Sequence, residues 1–488
     1  MLSGTRVTVV EVPEDGVVLR PPPPGDELSL DGVAAATREA LRFPLAGAAL
    51  SQLVTPGGTA TVVIEQPNLP LPSAVPDPRH EAIAATIDEL GTLGVSKVTI
   101  LVAGGLSRRL APREIGLLVA PEFRRRFRGH LIVHDAESGD LVEIGTAAGI
   151  PVSVAPALAN TDLVVTVTAA ESVLHGGPAA LTRASSREAL RASGATSLLE
   201  ASTSQGWRLA VELERLLGRR SPLFGVSLVL NLPRVFGGYP YQEDTLERIA
   251  GSRLRPGLSL LPSSVRGRII ERVPRELTAA AVYGGSPSTA HTEALLRAIE
   301  FKGTTLSAPL DAIVIGIPGT TPFVPRETPN PVSAAYLGLG LALRLWRNAF
   351  PVRPGGTAIL LHDLQRRFRA PTQTPYLALF ADPRSARDRD ALGEAERAAV
   401  ADPRAIDAYR SGRSVHPLEP FVTWSACDPA VSRLGSVLVA GCRDAHSARQ
   451  LGFVPVHGIG AALAMARGSG AQRIGFLLSP PYFPLLST

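Results

Sequence analysis

The residues best suited to chemistry lie where apolar segments give way to glycine. One such segment is Gly104-Gly105, followed by Ser107, Arg108 and Arg109 after the apolar run VTILVA. Glycine lets a backbone approach an anion closely, and arginine can pair with an anion through two hydrogen bonds. A plain turn after a strand is the alternative interpretation. We therefore treat this segment as a candidate anion-binding loop.

Three histidines form the other candidate sites. His134 follows HLIV, His175 precedes Gly176 and Gly177 after LVVTVTA, and His291 stands where a helix is expected to begin. Imidazole changes its charge near neutral pH and can shuttle a proton or bind a metal. A histidine satisfied by neighbouring backbone groups or a helix cap is the alternative in each case. The spacing of these three histidines alone predicts no metal site.

A series of strands and helices must position these residues. Three helices are predicted in the N-terminal part: Leu30–Arg42, His80–Leu93 and one starting near Ala111. They alternate with predicted strands, which are Arg6–Val12, TATVVIEQ, Lys97–Ala103, HLIVHD, PVSVAP, TDLVVTVTA and SPLFGVSLVLNL. This alternation is typical of βαβ units in a mostly parallel sheet. Ligands bind beyond the carboxyl ends of such strands. All four candidate segments follow a strand or open a helix.

A second α/β series follows the loop-rich stretch 235–274. Its predicted elements are the helix Thr289–Phe301, the strand DAIVIGIPG, a long helix Pro331–Ala349, the strands GGTAILLHD and SVLVAG, an exposed helical region at 381–412, the helix His446–Leu451 and a closing strand RIGFLLSP. The sequence therefore predicts two α/β domains with mostly parallel sheets. We place them at residues 1–280 and 281–488.

Composition narrows the class of protein. The chain has 488 residues, with 45% hydrophobic and 19% charged, which is typical of a folded globular protein. No apolar run reaches the roughly 18 residues of a membrane-spanning helix, and the N-terminus lacks the apolar core of a signal peptide. Cys427 and Cys442 are the only cysteines, which excludes a disulfide framework. We expect a cytoplasmic protein with no membrane partner.

The basic charge does not indicate nucleic-acid binding. The net charge is +5, and 49 basic residues include only two lysines, Lys97 and Lys302, leaving 47 arginines. Arginine in place of lysine along the whole chain indicates a compositional bias. The densest cluster, at 124–128, has one aromatic neighbour, Phe127, and is better explained as a solvated helix end. The chain also has no P-loop, no G-x-S-x-G and no G-x-G-x-x-G after its first strand.

Several phrases, taken in order, resemble the nickel-dependent lactate racemase family over nearly the whole chain. They are EALRFPLAGAALSQLVTPGGTATVVIEQ, ILVAGGLSRRLAPREI, VHDAESGDLVEIGTAAGIPVSV, ALANTDLVVTVTAAESVLHGG, VYGGSPSTAHTEAL, PLDAIVIGIPGTTP and RQLGFVPVHGIGAALAMA. The resemblance implies two α/β domains with the active site in the cleft between them. It also implies hydride transfer through a nickel pincer nucleotide bound by a lysine, with His175 touching the cofactor and paired histidines acting on the substrate hydroxyl.

This sequence departs from the family pattern at the residues that hold the cofactor. The family's D-x-x-R-P phrase falls on QPNLP at 66–70, and its G-x-H-R turn falls on 105–108, so Ser107 stands in place of a catalytic histidine. The attachment lysine falls in GGPAALTRASS, where Arg183 and Ser185 stand instead. A guanidinium cannot form the amine linkage. Neither Lys97 nor Lys302 is expected to substitute, since both are predicted on the far side of the sheet.

Three hypotheses follow from these observations. The first is a divergent racemase- or epimerase-like enzyme for a small 2-hydroxy acid or related carboxylate, without the lysine-linked cofactor. Its catalytic residues would be His175, His134 and His291, and its anion-binding residues would be Gly104, Gly105, Ser107, Arg108, Arg109, Gly176 and Gly177. The second is a non-catalytic protein that binds a carboxylate or nucleotide. The third is an ordinary nickel racemase, in which His175 would contact the metal. A homo-oligomer is compatible with each.

Overall fold

The computed structural model describes residues 1–22, 26–69, 77–235, 257, 260–272, 275–319, 327–368 and 370–488. Within these ranges the chain forms two six-stranded sheets with helices packed on them. The predicted α/β class with mostly parallel sheets is confirmed.

The first sheet carries the N-terminal series. From edge to edge its strands are Ala279–Gly285, Leu223–Leu230, Leu163–Ala169, Thr59–Glu65, Lys97–Ala103 and His130–Val133. All neighbours are parallel except the edge pair, in which Ala279–Gly285 runs antiparallel to Leu223–Leu230. Every residue of the central strand Leu163–Ala169 is buried. Such a continuous run of Val, Leu and Thr is typical of a parallel strand covered on both faces.

The helices of this half alternate with the strands of the sheet, but the predicted strand PVSVAP lies outside that sheet, in an antiparallel pair with Val142–Ala147. The helices are Leu30–Arg42, Leu50–Leu53, Pro78–Thr92, Pro121–Arg126, Pro156–Ala159, Pro178–Thr182, Arg187–Ala192, Gln205–Gly218, Ser263–Arg272 and Pro287–Lys302, with short 3-10 turns at Ile115–Leu117 and Ala201–Thr203. The long helices begin at side-chain caps: the Ser29 hydroxyl accepts from the Gly32 amide, and the Ser286 hydroxyl accepts from the Thr289 amide.

The second sheet is entirely parallel. Its strands, in spatial order, are Val454–Val456, Ser436–Ala440, Val352–Leu361, Leu310–Gly316, Ile474–Leu477 and Val17–Leu19. A three-stranded parallel sheet of Thr304–Leu306, Leu485–Ser487 and Trp346–Arg347 stands beside it. Three two-stranded pairs complete the strands: Leu2–Ser3 with Arg6–Val7, Val142–Ala147 with Ile150–Val154, and Arg234–Val235 with Arg275–Glu276.

The helices of the second half are shorter. They are Pro331–Ala335, the π-helix Tyr336–Leu341, the 3-10 turns Ala342–Arg344 and Pro371–Phe380, and the α-helices Arg389–Val400, Pro403–Arg410, Glu419–Ser425, Asp428–Val431, Ala445–Gln450 and Ile459–Gly468. No helix within the described ranges is long and apolar enough to cross a bilayer.

The predicted helix Pro331–Ala349 is wrong in its C-terminal part. Helical geometry passes through a π-turn and ends at Arg344, and Trp346–Arg347 forms a strand. The Leu198 amide donates to the Arg344 carbonyl (2.8 Å), and Trp346–Arg347 pairs with the strand Leu485–Ser487. Tertiary hydrogen bonds have replaced helical ones here.

Three smaller predictions also needed correction. The strand expected at Arg6–Val12 covers only Arg6–Val7, where it pairs with Leu2–Ser3. The helix expected near Ala111 is a 3-10 turn, and the α-helix starts later, at Pro121, because proline is favoured in the first helical turn. RIGFLLSP does contain a strand, but Leu485–Ser487 closes the chain.

The two sheets do not divide the chain at one point. The predicted boundary near residue 280 falls inside the strand Ala279–Gly285, and the helix Pro287–Lys302 packs on this first sheet. Conversely, the early strand Val17–Leu19 belongs to the second sheet. One buried apolar cluster includes Val173 and Leu198 from the first half together with many residues of the second half. The domain limits stay a prediction, and the stretch expected to be loop at 235–274 lies largely outside the described residues.

The π-helix contains a glycine that its neighbours leave no room to replace. A Cβ on Gly338 would lie 2.7 Å from Leu360 Cδ2 and 3.0 Å from Ile317 Cδ1. We expect Gly338→Ala to lower the free energy of unfolding by about 1–3 kcal/mol, as for other overpacked cores. Gly460→Ala, in a helix where the added Cβ meets nothing within 4 Å, is the matched control and should be neutral or stabilising. Urea unfolding of both variants measures this, and equal losses would contradict it.

Candidate active site

The Gly104-Gly105 turn packs against Arg183. Gly105 has φ +58°, and its amide donates to the Arg183 carbonyl (3.0 Å). A Cβ on Gly105 would lie 3.3 Å from Arg183 Cζ, and Arg183 Nη2 donates to the Gly104 carbonyl (3.0 Å). The glycines predicted to approach an anion instead hold a guanidinium at the carboxyl end of the strand Lys97–Ala103.

Glu65 pairs with this guanidinium. Its Oε1 lies 3.4 Å from Arg183 Nε, and its Oε2 accepts from the Gly176 amide (2.7 Å). Burial raises the pKa of Glu65 to about 7, although the Arg183 charge opposes that change. Glu65 therefore titrates near neutral pH, in contact with the loop that carries His175.

Several polar atoms around Arg183 have no hydrogen-bond partner within the described ranges. They are Arg183 Nε, Glu65 Oε1 and both amide atoms of Gln66. The Gln66 side chain also lies close to the turn, since a Cβ on Gly104 would be 3.5 Å from its Nε2. Buried polar groups are normally satisfied, so these atoms indicate a place where a ligand or ordered water completes the structure.

His175 is a neutral imidazole beside cations. Its Nδ1 lies 2.9 Å from the Ser172 hydroxyl, and its Nε2 forms no hydrogen bond with the described residues. Burial lowers the pKa of His175 well below its usual value, and the charges of Arg183 and Arg344 lower it further. An uncharged imidazole with one free ring nitrogen can accept or donate a proton.

Gly176 and Gly177 leave space for His291. A Cβ on Gly177 would lie 2.3 Å from His291 Cβ, and one on Gly176 would lie 2.5 Å from His291 Cε1. His291 is fully buried, with Nε2 2.9 Å from the Ser172 carbonyl and Nδ1 3.5 Å from the Ser227 hydroxyl. The ring therefore braces the loop that holds His175 in place.

Arg344 reaches this neighbourhood from the second half of the chain. Its side chain is buried, Nη1 donates to the Gly340 carbonyl (3.1 Å), and Nη2 donates to the Ala195 carbonyl. Its Nε has no partner, and no carboxylate of the described residues pairs with it. Burial lowers the pKa of Arg344. A buried cation without a counter-ion is costly unless an anion binds beside it.

The charge of Arg183 also acts on two further ionisable groups, Tyr336 and Glu419. Burial raises the pKa of Tyr336 to about 12, and the nearby charges of Arg344 and Arg183 oppose this. Burial also raises the pKa of Glu419, and Arg183 opposes that. The charge of Arg183, in the first half of the chain, therefore acts on ionisable groups of the second half.

The remaining predicted site residues are engaged by their own surroundings. His134 Nε2 lies 2.8 Å from the Ser185 carbonyl, and burial lowers the pKa of His134 to about 4. Arg108 pairs with Glu114 (2.7 Å). Arg109 lies 3.4 Å from Asp135 and donates to the Arg410 carbonyl (2.5 Å). Ser107 is buried, and its amide donates to the Gly104 carbonyl (3.1 Å).

Six of the ten predicted site residues therefore lie around Arg183 and Glu65. The other four, His134, Ser107, Arg108 and Arg109, form the separate contacts just described. The six are Gly104, Gly105, His175, Gly176, Gly177 and His291. Sequence reasoning missed Glu65, Gln66, Tyr336 and Arg344. Only two signals for them existed: Glu65 ends a buried apolar strand, and Arg344 is the single charge in the apolar stretch 331–345.

A small cavity lies beside this site. Its volume is about 20 Å³, and its lining includes Glu65, Gln66, Asn68, Arg79 and Glu171. That volume fits about one water molecule and no substrate. Among the described residues, no group of three or more His, Cys, Asp or Glu side chains is arranged to hold a metal.

The expected location of Lys302 is wrong. Its Nζ donates to the Leu230 carbonyl (2.9 Å), at the carboxyl end of the strand Leu223–Leu230. The edge strand Ala279–Gly285 runs antiparallel to its neighbour, so the helix after it starts beside Gly225 and ends at Lys302 near the edge where ligands bind.

The buried histidines predict acid-sensitive stability. Burial lowers the pKa of both His134 and His291 to about 4, from 6.5 in the unfolded chain. Below pH 6.5 the unfolded state therefore binds more protons, and stability falls until about pH 4, by at most roughly 3 kcal/mol for each residue. Urea unfolding between pH 4 and 7 measures this. His134→Gln should flatten the curve and the exposed His457→Gln should not; identical curves would contradict the assignment.

Comparison with known proteins supports the fold and the N-terminal resemblance. Residues 5–175 match the lactate racemase N-terminal domain family. The structure of the lactate racemase apoprotein from Thermoanaerobacterium thermosaccharolyticum aligns with a TM-score of 0.62 and 13% identity, covering 99% of this chain and 98% of that one. A crystal structure of a Thermotoga maritima protein aligns with a TM-score of 0.50 and 11% identity, covering 96% and 100%. No curated protein sequence matches.

These matches confirm the resemblance predicted from the sequence. The N-terminal region is lactate-racemase-like in sequence, and the whole chain is lactate-racemase-like in fold. At 13% identity the structural likeness shows the fold alone.

Proposed function

We propose that this chain, lactate-racemase-like in its N-terminal region and fold, is a racemase- or epimerase-like enzyme for a small 2-hydroxy acid or related carboxylate. The observation that carries the proposal is the buried guanidinium of Arg344, which has no counter-ion among the described residues and acts electrostatically, together with Arg183, on the neutral imidazole of His175. The proposal includes the cytoplasmic location and possible homo-oligomer expected from the sequence.

The two arginines are suited to bind the substrate's carboxylate. A carboxylate accepts charge-assisted hydrogen bonds from guanidinium donors, which are stronger than neutral ones. Arg344 has no counter-ion among the described residues, so a bound anion would offset the cost of its burial. Arg183 is already balanced in part by Glu65.

His175 is suited to handle the proton of the neighbouring hydroxyl. Its free Nε2 would accept that proton as the C2 hydrogen leaves as a hydride to an acceptor bound without a lysine link, and would return it when the hydride is delivered to the opposite face. Burial, and then the charges of Arg183 and Arg344, hold the pKa of His175 low in the free protein. The negative charge of a substrate carboxylate bound by the two arginines would offset part of their positive charge. The pKa of His175 would then rise toward the range of a general base. Glu65 is the second acid–base candidate.

The residues present do not fit a lysine-linked nickel pincer cofactor. Arg183 stands where the attachment lysine is expected, and its guanidinium is engaged by Gly104 and Glu65. Any hydride acceptor would therefore be bound without that covalent link. His175 would be the metal contact only if nickel were bound. The contacts of His134 and His291 favour bracing roles over the catalytic roles predicted for them.

A non-catalytic carboxylate- or nucleotide-binding protein is the alternative. The same unpartnered arginine nitrogens favour it, since they call for an anion and not for turnover. Ligand binding without product formation would decide for this second function.

His175→Ala tests the catalytic assignment. We expect loss of racemisation of 2-hydroxy acids by about a hundredfold or more, since a positioned acid–base group contributes that much. Chiral chromatography of product measures it, and an unchanged melting temperature shows that the fold persists. Full activity in a folded variant, or a lower melting temperature alone, would assign His175 a structural role.

The arginine pair can be tested by ligand-dependent stability. Lactate and related 2-hydroxy acids should raise the melting temperature of the natural protein, and Arg344→Met should weaken binding about tenfold or more. Arg125→Met is the matched control, because that side chain is 74% exposed. If no carboxylate shifts the melting temperature, the enzyme function loses its support, and if no nucleotide does so either, the binding function loses its support as well.

Elemental analysis tests the cofactor. Protein purified from a host that makes the nickel pincer nucleotide should contain no stoichiometric nickel and show no cofactor absorption band, since Arg183 cannot supply the linkage and the Lys302 amine is hydrogen-bonded to the Leu230 carbonyl. Stoichiometric nickel with such a band would restore the ordinary racemase hypothesis, and mass spectrometry would then identify the attachment residue.

A further inference from the structure

The side chain of Ser172 contacts His175 directly. Its hydroxyl lies 2.9 Å from His175 Nδ1 and accepts from the Leu174 amide (3.2 Å). The three residues belong to one turn, in which the His175 amide donates to the Ser172 carbonyl (3.2 Å). Ser172 is 1% exposed, so its hydroxyl has to be satisfied by protein groups.

His291 holds the backbone of this serine in place. Its Nε2 lies 2.9 Å from the Ser172 carbonyl, which can only accept, so Nε2 carries the proton of that ring. The His291 ring is fully buried and fills the space that Gly176 and Gly177 leave. The Ser172 hydroxyl is therefore fixed to a braced segment.

The hydrogen bonds of Ser172 determine which way its hydroxyl points. A serine hydroxyl has one hydrogen and two acceptor lone pairs. The Leu174 amide uses one lone pair, and His175 Nδ1 is the only other partner of the hydroxyl within the described ranges. If Nδ1 carried the proton, the hydroxyl hydrogen would be buried without an acceptor, which is costly. The hydroxyl therefore donates to Nδ1.

We propose that Ser172 is a positioning residue, which holds the neutral His175 ring in the tautomer with its proton on Nε2. The ring is neutral because burial holds the pKa of His175 well below its usual value. It is half-buried, and its Nε2 forms no hydrogen bond with the described residues. The free site therefore presents an N–H donor to a ligand oxygen.

The second step of this inference rests on the proposed function. Nε2 can take a proton from a substrate hydroxyl only in the other neutral tautomer, with the proton on Nδ1. The Ser172 hydroxyl permits this tautomer, because it can turn and accept from Nδ1–H with its second lone pair. A half-buried ring can exchange its proton with water, so we expect a bound 2-hydroxy acid to shift His175 into that tautomer.

Nuclear magnetic resonance of the full-length protein with ¹⁵N-labelled histidine tests the proposal. Nitrogen–hydrogen correlations within the ring distinguish the two neutral tautomers, and the signal lost in His175→Gln identifies this residue among the nine histidines. At about pH 7.5 we expect the natural protein to show the Nε2–H tautomer at His175. A dominant Nδ1–H tautomer in the free protein would overturn the assignment.

Ser172→Ala tests whether the serine sets this preference. The ratio of the Nε2–H to the Nδ1–H tautomer should fall by about fivefold, which corresponds to one lost hydrogen bond. Ser469→Ala is the matched control, because that exposed hydroxyl donates to the Met465 carbonyl, and the ratio should not change. An unchanged ratio in folded Ser172→Ala would contradict the role of the serine. If that variant does not fold, the tautomer of the natural protein decides.

Added lactate separates this proposal from the proposed function. Saturating lactate should shift His175 of the natural protein toward the Nδ1–H tautomer. Lactate that raises the melting temperature and leaves His175 in the Nε2–H tautomer would overturn the second step. Lactate that changes neither the melting temperature nor any histidine signal would count against the proposed function, and the free-protein spectrum would still decide the role of Ser172.

Discussion

The buried guanidinium of Arg183 is the contact on which the arrangement of the site depends. It joins three loops at the carboxyl edge of the first sheet: the Gly104-Gly105 turn, the end of the strand Thr59–Glu65, and the segment that follows His175. Removing a charge from water is costly unless it is paired and hydrogen-bonded. Glu65 and the Gly104 carbonyl meet part of that requirement, although the Nε that faces Glu65 forms no hydrogen bond within the described ranges.

A polar contact region beside this site holds the two halves of the chain together. His416 Nε2 lies 3.0 Å from Glu137, and the Tyr409 hydroxyl contacts both the Gly105 carbonyl (3.3 Å) and the Ala136 amide (3.1 Å). The loop residue Arg109 reaches the Arg410 carbonyl from the other side. These contacts orient the glycine turn, so the position of Arg183 depends on the second half as well as the first.

Much of the fold followed from local pattern. The helix Leu30–Arg42 and the strand Lys97–Ala103 have the bounds predicted from hydrophobic periodicity and from flanking turn and cap residues. The helix predicted through Ala349 did not, because its last residues bond to the segment around Leu198 and to the chain terminus. Such partners lie far away in sequence and leave no periodic signal.

The sequence by itself determined the α/β class, the family resemblance and the loops around His175 and Gly104, because apolar runs, glycines and ordered phrases are local properties. Only the tertiary structure decided that Arg183, and not Arg108 or Arg109, occupies the glycine turn. It also brought Arg344 toward His175 from the second half. Burial and the resulting electrostatic environment depend on the whole packed chain, and they convert ordinary residues into a cationic centre beside a neutral imidazole.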